Sequence, residues 1–555
     1  MSTQAPSPTL ELAAPSGAVA RWWKTADRAL AWAGERLNPI LVKETRQALK
    51  SKQFMVTFGL LLACGWIWSI IGVSSIGPGA WHGESGPEMF MGYYCILAFP
   101  LIVIVPFAAF RSLAGEQEDR TYELMSITTL GPRQIVRGKL GSSVMQMLIY
   151  LSALSPCLAF TYMLRGLDFP TILFSTLYVS LGSLALSMVG LFLGTLTAEK
   201  HWQIMLSVAW IAGLLYAFGG SIALADELIF GWGIDVLDAE FWQVNAAIFT
   251  AYVAYFVLIF YAAASRITFS TDNRSTRLRA VMFVQFALAT AWMAWFWVGP
   301  VRGEDFALPV YLMMVGIHWY AMGVFMTGES PELSLRVKRR LPQSFLGRGF
   351  LTWFNPGPGT GYVFATVNLA AAVFVVLFAV VVAESFHGGE FLPQWDSDHV
   401  EQTLAFGVLF LSYVVAYLGV GLLLVRMLRR AVRVGIALAP IMQILLLLIG
   451  CGVPWVVQML TFPDEGGRWD YSLLQAPDPF WSLGYVVDDW QSGLSDDTGW
   501  LLVIVPLTAL LVFLLNLRGV AHEVRQVRIA KPKRVAEEDA EKLPPPESAR
   551  PSPWD

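Results

Sequence analysis

The feature that most constrains this chain is a series of twelve long apolar runs that are almost free of charge. A hydrocarbon core about 30 Å thick is crossed by roughly 20 consecutive apolar residues in a helix. Only 14% of the 555 residues are charged, against about 25% in soluble domains. The sequence therefore predicts an all-α, polytopic transmembrane bundle of about twelve spans, near residues 54–76, 89–110, 143–164, 171–196, 203–225, 241–265, 280–300, 307–327, 361–383, 402–425, 435–461 and 498–517.

The charged residues sort between the segments that join these spans. An even number of spans puts both termini on one side. With the termini inside, the inside segments hold 35 of the 38 basic residues, and the outside segments keep only Arg165, Arg302 and Arg468. Because cytoplasmic loops carry an excess of Lys and Arg, we predict a multi-pass plasma-membrane protein with both termini cytoplasmic. The net charge of −4 gives no indication of a nucleic-acid partner.

Apart from cysteine and tyrosine, His318 is the one ionisable side chain within the predicted spans. Transporters driven by ion gradients usually keep carboxylates or histidines in the membrane, so the sequence argues against that class. We expect His318 to hydrogen-bond a neighbouring helix. Interhelical hydrogen bonding is equally open to the span amides Gln146, Gln285, Asn368 and Gln443.

The segment before the first span, LNPILVKETRQALKSKQF, is typical of an amphipathic helix. Asn38 suits the N-cap and Pro39 the first helical position. At 100° per residue an apolar side faces away from a basic side formed by Lys43, Arg46 and Lys50. This pattern predicts an interfacial helix over residues 38–53. An ordinary basic anchor beside the membrane is the alternative.

The loop after the second span, residues 111–142, is rich in charge. The spacing of its charges predicts a short helix over residues 113–127, with an attractive pair between Glu116 and Arg120. Gly131-Pro132 should end this helix and start the one that leads into the third span. Such a solvated, charged hairpin makes a docking surface and has no catalytic constellation.

Two sets of residues, taken in order, carry a resemblance. Before the first span come Asn38, Pro39, Lys43 and Glu44; after the second come Glu116, Glu118, Arg120, Thr121 and Glu123, then the turn 128–132, then Ile135, Gly138 and Lys139. They are similar to the N-P-x-x-x-K-E, E-x-E-x-G-T-x-E-x-L and I-x-x-G-K strings of ATP-binding-cassette permeases of the type-2 exporter family. Arg120 stands where that family has glycine, and T-L-G-P replaces its T-P-L-S turn.

The resemblance implies that helix 113–127 is a coupling helix seated in a groove of a cytoplasmic ATPase. Glu116, Glu118, Arg120, Thr121 and Glu123 would then form the ATPase contact. The chain would be the permease and no enzyme, with ATP hydrolysed by a separate subunit, because no G-x-x-x-x-G-K-[ST] string occurs. The expected partners are that ATPase, the lipid bilayer and a second permease chain. No cofactor or metal is expected on this chain.

The family core has six spans and this chain has twelve, so a repeat of two six-span halves is one interpretation. Gly115-Glu116 and Gly328-Glu329 follow the second and eighth spans at matching places. The predicted organisation is a disordered tail 1–37, the interfacial helix 38–53, a first unit 54–265 with its coupling loop 111–142, a linker 266–279, a second unit 280–517 with a cytoplasmic loop 328–360, and a disordered tail 518–555.

Three function classes follow. The first is a permease that exports a hydrophobic or amphiphilic cargo, a choice favoured by the uncharged spans. The second is a polytopic membrane enzyme of lipid or glycan metabolism, for which the cluster of His387, Asp396, Asp398 and His399 is the sole candidate site. The third is a membrane scaffold that transports nothing and transmits ATPase motion to a partner.

Overall fold

The computed structural model describes residues 38–76, 85–118, 131–196, 199–231, 233–269, 271–298, 307–342, 344–385, 397–431, 438–461, 471–488 and 496–526, with a few residues of the tail. Across these ranges the regular structure is helical and contains no strand. Twelve of the described helical segments are long and apolar enough to cross a membrane. The predicted all-α bundle of twelve spans is thus confirmed, with each span at its predicted place.

The chain divides into two compact units, residues 1–234 and 235–555. The described helices of the first unit are α1 (Pro39–Leu49), α2 (Lys52–Ile76), α3 (Gly86–Phe99), α4 (Val105–Glu118), α5 (Pro132–Met163), α6 (Phe169–Gly194) and α7 (Lys200–Asp226). Its second span, made of α3 and α4, has the most buried apolar stretch at 61%, against 11% for α2 and for α7. The second span is therefore the centre of this unit.

The helices of the first unit begin where the sequence marks their caps. Asn38 accepts a hydrogen bond from the backbone N–H of Ile40 at 3.1 Å, and Pro39 is the first residue of α1. Pro132 likewise starts α5, so the turn predicted at Gly131-Pro132 lies where the sequence places it. The N–H groups of a first helical turn have no partner within the helix. Asn38 supplies an acceptor for one of them, and the prolines have no N–H that needs a partner.

A π-helical turn over Pro100–Ile104 separates α3 from α4. Proline has no backbone N–H, so the helical bond from residue 100 back to residue 96 cannot form. The N–H of Val105 donates to the carbonyl of Pro100, five residues back. The buried hydroxyl of Ser183 on α6 donates to the carbonyl of Leu101 at 2.6 Å. The turn is thus held by a neighbouring helix. Short π-helical turns inside α-helices occur frequently at functional sites.

The described helices of the second unit are α8 (Ala239–Ile267), α9 (Thr276–Val298), α10 (Ala307–Thr327), α11 (Leu335–Arg339), α12 (Phe345–Leu351), α13 (Pro358–Ser385), α14 (Ser397–Leu428), α15 (Leu438–Thr461), α16 (Pro479–Asp488) and α17 (Asp496–Val524). The sixth span, α8, packs against α9 and belongs to this unit. The division between units therefore precedes α8, whereas the predicted linker 266–279 follows it. The predicted loop 328–360 contains the short helices α11 and α12.

The core of the second unit is aromatic at its centre. Trp319 is fully buried and lies edge-on to Phe364 on α13, with ring centroids 5.4 Å apart. Tyr362 is also fully buried and donates a hydrogen bond to the carbonyl of Val415 on α14 at 3.0 Å. Helix packing in a membrane gains little from apolar burial alone, so aromatic contacts and interhelical hydrogen bonds of this kind define the packing.

Candidate functional site

The two sets of residues that carry the family resemblance meet where α1 crosses the start of α5. A Cβ added at Gly138 would lie 2.7 Å from Cβ of Ile40, so only glycine allows α1 to lie this close. The side-chain amide of Asn38 donates to the carbonyl of Gln134 and ties the first turn of α1 to α5. Ile40 is buried in the contact. The helix predicted to lie at the membrane surface thus packs by its apolar edge on the third span.

Lys139 lies at the centre of this crossing, with its side chain only 1% exposed. Its ammonium is 3.2 Å from Glu44 Oε1 of α1 and 2.9 Å from Glu116 Oε1 of α4. It also donates to the carbonyl of Ser112 at 3.0 Å. A buried ammonium is strongly unfavourable unless it is paired, and here three oxygens pair it. We call Glu44, Glu116 and Lys139 the ionic cluster.

The position of Glu116 corrects one expectation. The sequence predicts a solvated Glu116 paired with Arg120 on a separate helix that starts near residue 113. Residues 113–118 instead continue α4, and Glu116 is 16% exposed and paired with Lys139. Burial of the Lys139 ammonium strengthens its attraction for Glu116, because the local dielectric is lower than in water. Arg120, Thr121 and Glu123, with the rest of the predicted coupling helix, lie outside the described residues.

Glu118 and the basic residues of α1 differ from Glu116 in exposure. Glu118 is 31% exposed and lies 3.4 Å from the ammonium of Lys200, at the start of α7. Lys43, Arg46 and Lys50 are exposed on the side of α1 away from α5, as the predicted basic side requires. This end of the first unit therefore presents charges around a buried ion pair.

The end of the second span is held by further helices. A Cβ at Gly190 of α6 would lie 2.7 Å from the carbonyl oxygen of Pro106, and one at Gly194 would lie 2.9 Å from that of Phe110. The side-chain amide of Gln203 on α7 donates to the carbonyl of Ala114 at 3.2 Å. With the ionic cluster, these contacts fix α4 against α1, α5, α6 and α7.

The second unit has its own buried ion pair, between Arg279 of α9 and Glu329 after α10. Arg279 is fully buried, and its Nη2 lies 2.6 Å from Glu329 Oε2. Its Nη1 donates to the carbonyl of Trp353 at 2.6 Å and to the hydroxyl of Thr360 at 3.1 Å. The N–H of Gly357 donates to the same carboxylate at 2.7 Å. The guanidinium thus joins the ends of three spans.

Glu523, near the end of α17, closes the same region. Its carboxylate accepts hydrogen bonds from the N–H groups of Gly359 and Thr360 at about 3.0 Å, in the first turn of α13. A carboxylate is favourable at a helix N-terminus because free N–H groups and the positive end of the helix dipole meet there. Arg426 lies 3.8 Å from Glu523 and donates to Asn516 Oδ1 at 3.0 Å. Glu523 is therefore part of the same network.

Arg429 extends the network to the end of α10. Its Nη2 donates to the carbonyls of Gly328 at 2.8 Å and of Glu329 at 2.6 Å. Burial lowers the pKa of Arg429, and the nearby Glu523 opposes that change. We call Arg279, Glu329, Arg426, Arg429 and Glu523 the second-unit network. Sequence reasoning missed it, although each member lies at a span end that is predicted to be inside.

The two units share one local feature. Gly115-Glu116 lies in the last turn of α4 and Gly328-Glu329 directly follows α10, so each stands at the end of the second span of a pair. Each glutamate is paired with a buried cation. The cation comes from the third span in the first unit and from the preceding span in the second. The correspondence in the sequence thus extends to the pairing of each glutamate with a buried cation. It does not extend to the span that supplies the cation.

The polar side chains within the spans behave in several ways. His318 Nδ1 lies 2.9 Å from the hydroxyl of Tyr255 on α8, so the expected bond to a neighbouring helix is confirmed. Gln443 accepts from Tyr320 of another helix at 3.2 Å. Gln146 and Asn368 donate to carbonyls of their own helices. Gln285 has no hydrogen-bond partner within the described part of the chain.

The residues considered as an enzyme or metal site are described only in part. His387 and Asp396 lie outside the described residues, and the side chains of Asp398 and His399 are not described. Among the residues that the structure does describe, no group of three histidine, cysteine or acidic side chains could hold a metal ion.

Twelve apolar helices with polar networks at their ends define a multi-pass helical membrane protein. Comparison of the chain with protein-family models, with curated proteins and with solved structures finds no match.

Proposed function

We propose that this chain is the membrane-spanning permease subunit of an ATP-binding-cassette transporter of the type-2 exporter class. The observation that carries the proposal is the ionic cluster. Glu44, Glu116 and Lys139 come from three separate strings that resemble that family, and they meet around one buried ammonium. A chance resemblance of three short strings would not be expected to bring these residues into contact.

The ionic cluster supplies a way to pass motion into the membrane. An ATPase docked on the loop that follows α4 would pull on α4 and on the start of α5. Because Lys139 joins both helices to α1, the three would move together. Rigid elements that have two discrete arrangements are what couples distant sites.

The docking surface in this proposal comprises Glu118, which is partly exposed at the end of α4, and the following residues Arg120, Thr121 and Glu123. Glu116 acts from within, through Lys139. In this proposal the ATPase lies on the side that holds the predicted basic excess, so both termini are cytoplasmic. The proposed host membrane is the plasma membrane. A cytoplasmic ATPase would hydrolyse the ATP, and the chain would bind no cofactor of its own.

The cargo class follows from the spans. The described spans keep ionic groups near their ends, in the two networks, and leave apolar side chains along most of their length. Moving a free ion through such a path would be costly. A hydrophobic or amphiphilic cargo, exported from the cytoplasmic side or leaflet, is therefore the proposed substrate.

The test is co-purification of an ATPase with the affinity-tagged full-length chain from its native membranes, quantified by mass spectrometry. The charge-reversed variant E118K/E123K should recover about tenfold less ATPase than the unchanged chain, because reversing docking charges opposes association. The matched control is E240K, an exposed glutamate at the start of α8 that is predicted to lie on the opposite face. Equal recovery from E118K/E123K and E240K would refute the docking surface.

Cargo movement separates a transporter from a scaffold. The chain and the co-purified ATPase are reconstituted into liposomes, and ATP-dependent transfer of a fluorescent short-chain phospholipid between leaflets is measured. Transfer that requires ATP and is lost in E118K/E123K supports a permease. ATP hydrolysis without transfer of lipid or of amphiphilic dyes would leave the scaffold as the function.

A further inference from the structure

The π-turn between α3 and α4 leaves the carbonyl of Leu101 without its usual donor. In an α-helix the N–H of Val105 would donate to this carbonyl, four residues back. Here that N–H donates to the carbonyl of Pro100 instead. The next residue, Pro106, has no N–H that could take its place. The carbonyl of Leu101 therefore needs a donor from outside the second span.

A serine of α6 supplies that donor, and a second serine lies one turn further along the same helix. Ser183 is fully buried and donates to the carbonyl of Leu101 at 2.6 Å. Ser187 is 1% exposed, and its hydroxyl has no hydrogen-bond partner among the residues that the structure describes. A buried hydroxyl without a partner is unfavourable, most of all inside a membrane. Ser187 is thus an unused donor beside the one in use.

The level of Ser187 along the second span follows from the glycines of α6. A Cβ added at Gly190 would lie 2.7 Å from the carbonyl oxygen of Pro106. A second contact of this kind, four residues further on in both helices, shows that α6 and α4 run in the same direction with equal rise. Ser187 comes three residues before Gly190, so it is level with residue 103. It therefore lies within about 2 Å, along the helix axis, of the carbonyl of Ile102.

Pro106 determines which carbonyl would need a donor if the π-turn became an ordinary α-helical turn. The carbonyl of Leu101 would regain its helical donor, and Ser183 would be released. In an α-helix the carbonyl of Ile102 accepts from residue 106, and proline has no N–H to donate. The carbonyl in need of a donor would then be that of Ile102, at the level of Ser187.

We propose that the second span has two states, in which a π-turn and an α-helical turn exchange and two serines of α6 exchange roles. In the π state Ser183 donates to the carbonyl of Leu101. In the α state Ser187 donates to the carbonyl of Ile102. Each state uses one serine hydroxyl, so the exchange costs no net hydrogen bond from α6. This exchange goes beyond the proposed transport function, because it is a property of the chain alone and requires no ATPase.

The experiment measures the position of α4 relative to α1 by double electron–electron resonance. Spin labels are attached at Arg111→Cys on α4 and Gln47→Cys on α1, both exposed positions. The full-length chain is used in nanodiscs without an ATPase, and its four native cysteines are replaced. Loss of the π-turn changes the direction of the side chains that follow it. Because a helix with its side chains is about 10–12 Å across, the α state should give a second distance that differs by about 5–10 Å.

Three serine substitutions test the exchange. Ser183→Ala should raise the ratio of the second distance to the first about fivefold, because only the π state loses a hydrogen bond. Adding Ser187→Ala should return the ratio to that of the unchanged chain, since each state then lacks its donor. Adding Ser175→Ala instead is the control and should leave the ratio raised. Ser175 is a serine of α6 that is 1% exposed and has no hydrogen-bond partner in the described part of the chain.

Pro106→Ala tests whether the missing N–H makes the serines necessary. The alanine N–H can donate to the carbonyl of Leu101 in the π state or to that of Ile102 in the α state. Neither state then depends on a serine. In this background Ser183→Ala should change the ratio of the two distances by less than about twofold.

A Ser183→Ala chain with the same distances as the unchanged chain would overturn the proposal. So would equal ratios in S183A/S187A and S183A/S175A. If Ser183→Ala folds poorly, Ser187→Ala and Ser175→Ala are compared in the unchanged chain. Only Ser187→Ala should then reduce the second distance, and equal distances in the two variants would also overturn the proposal. No ATPase is present in these measurements, so a failure here is distinguishable from a failure of the proposed function.

Discussion

The ammonium of Lys139 lies 2.9 Å from Glu116 Oε1, so one nearly inaccessible side chain ties the start of the third span to the end of the second. Glu44 of α1 completes the contact at 3.2 Å. The one ammonium stabilises both carboxylates, whereas each carboxylate is only one of two partners of the ammonium. The stability of this end of the first unit therefore depends on Lys139 more than on either glutamate.

Lys139→Met should destabilise the protein strongly. The substitution leaves two partly buried carboxylates close together without a cation, and removing one member of a buried pair costs about 3–5 kcal/mol. The measurement is the free energy of unfolding in detergent micelles. The triple variant K139M/E44Q/E116Q should recover most of the loss, because no unpaired charge remains. If the triple variant is no more stable than K139M, the charges are not the cause.

Gly138→Ala and Gly141→Ala form a matched pair on one face of α5. The new Cβ at residue 138 would lie 2.7 Å from Cβ of Ile40, which cannot move without the backbone of α1. At residue 141 the close atom is Cδ1 of Leu41, also at 2.7 Å, which can rotate away. We expect Gly138→Ala to cost about 1–3 kcal/mol of unfolding free energy. Gly141→Ala should cost less than about 1 kcal/mol, since alanine favours the helix. Equal losses would show that the approach of α1 to α5 is looser than described.

Arg279→Lys tests whether the second-unit network needs the shape of a guanidinium. Arg279 donates to Glu329 and Thr360 and to the carbonyls of Trp353 and Gly357. A lysine ammonium has three donors on a compact centre and cannot reach four such acceptors. The expected loss of unfolding free energy is about 1–3 kcal/mol.

The control for Arg279→Lys is Arg336→Lys. Arg336 pairs with Asp272 at an exposed position, and exposed ion pairs contribute about 0–1 kcal/mol. Its substitution should change the unfolding free energy by less than about 0.5 kcal/mol. Similar effects of the two substitutions would mean that the fully buried position gives Arg279 no special role.

Membrane orientation can be tested by labelling single cysteines in a variant without Cys64, Cys95, Cys157 and Cys451. Glu240→Cys lies on a segment predicted to be outside, and Thr271→Cys and Glu332→Cys lie on segments predicted to be inside. All three side chains are exposed. An impermeant maleimide applied to intact cells should label Glu240→Cys alone, with the other two labelled after lysis. Labelling of Thr271→Cys in intact cells would reverse the predicted topology.

Features that depend on a short stretch of sequence were predictable. The twelve spans follow from hydropathy over about 20 residues, and the start of α1 follows from Asn38 and Pro39. The expected bond of His318 was also within reach, because a lone imidazole in an apolar run needs a partner from outside its helix. In each case the physical cause acts within one helix or one side chain.

Features that join distant parts of the chain were not predictable in the same way. Local spacing predicts a pair between Glu116 and Arg120, and it cannot reveal the pair that Glu116 makes with Lys139 on another helix. The second-unit network joins Arg279 to residues as far along the chain as Glu523, with only their common position at span ends as a signal. For Gln285 the sequence shows a span amide like Gln443. Only packing leaves the amide oxygen of Gln443 paired and both amide atoms of Gln285 unpaired among the described residues.

The π-turn at Pro100–Ile104 sets the rotational phase of everything that follows it in the second span. Each residue of an α-helix turns the chain by about 100° and advances it by 1.5 Å. If this turn tightened into an ordinary α-helix, α4 would rotate by about that angle relative to α3. Glu116 would then point away from Lys139, and Gly190 would no longer lie under the carbonyl of Pro106. The ion pair at the end of α4 therefore depends on the π-turn near the middle of the second span.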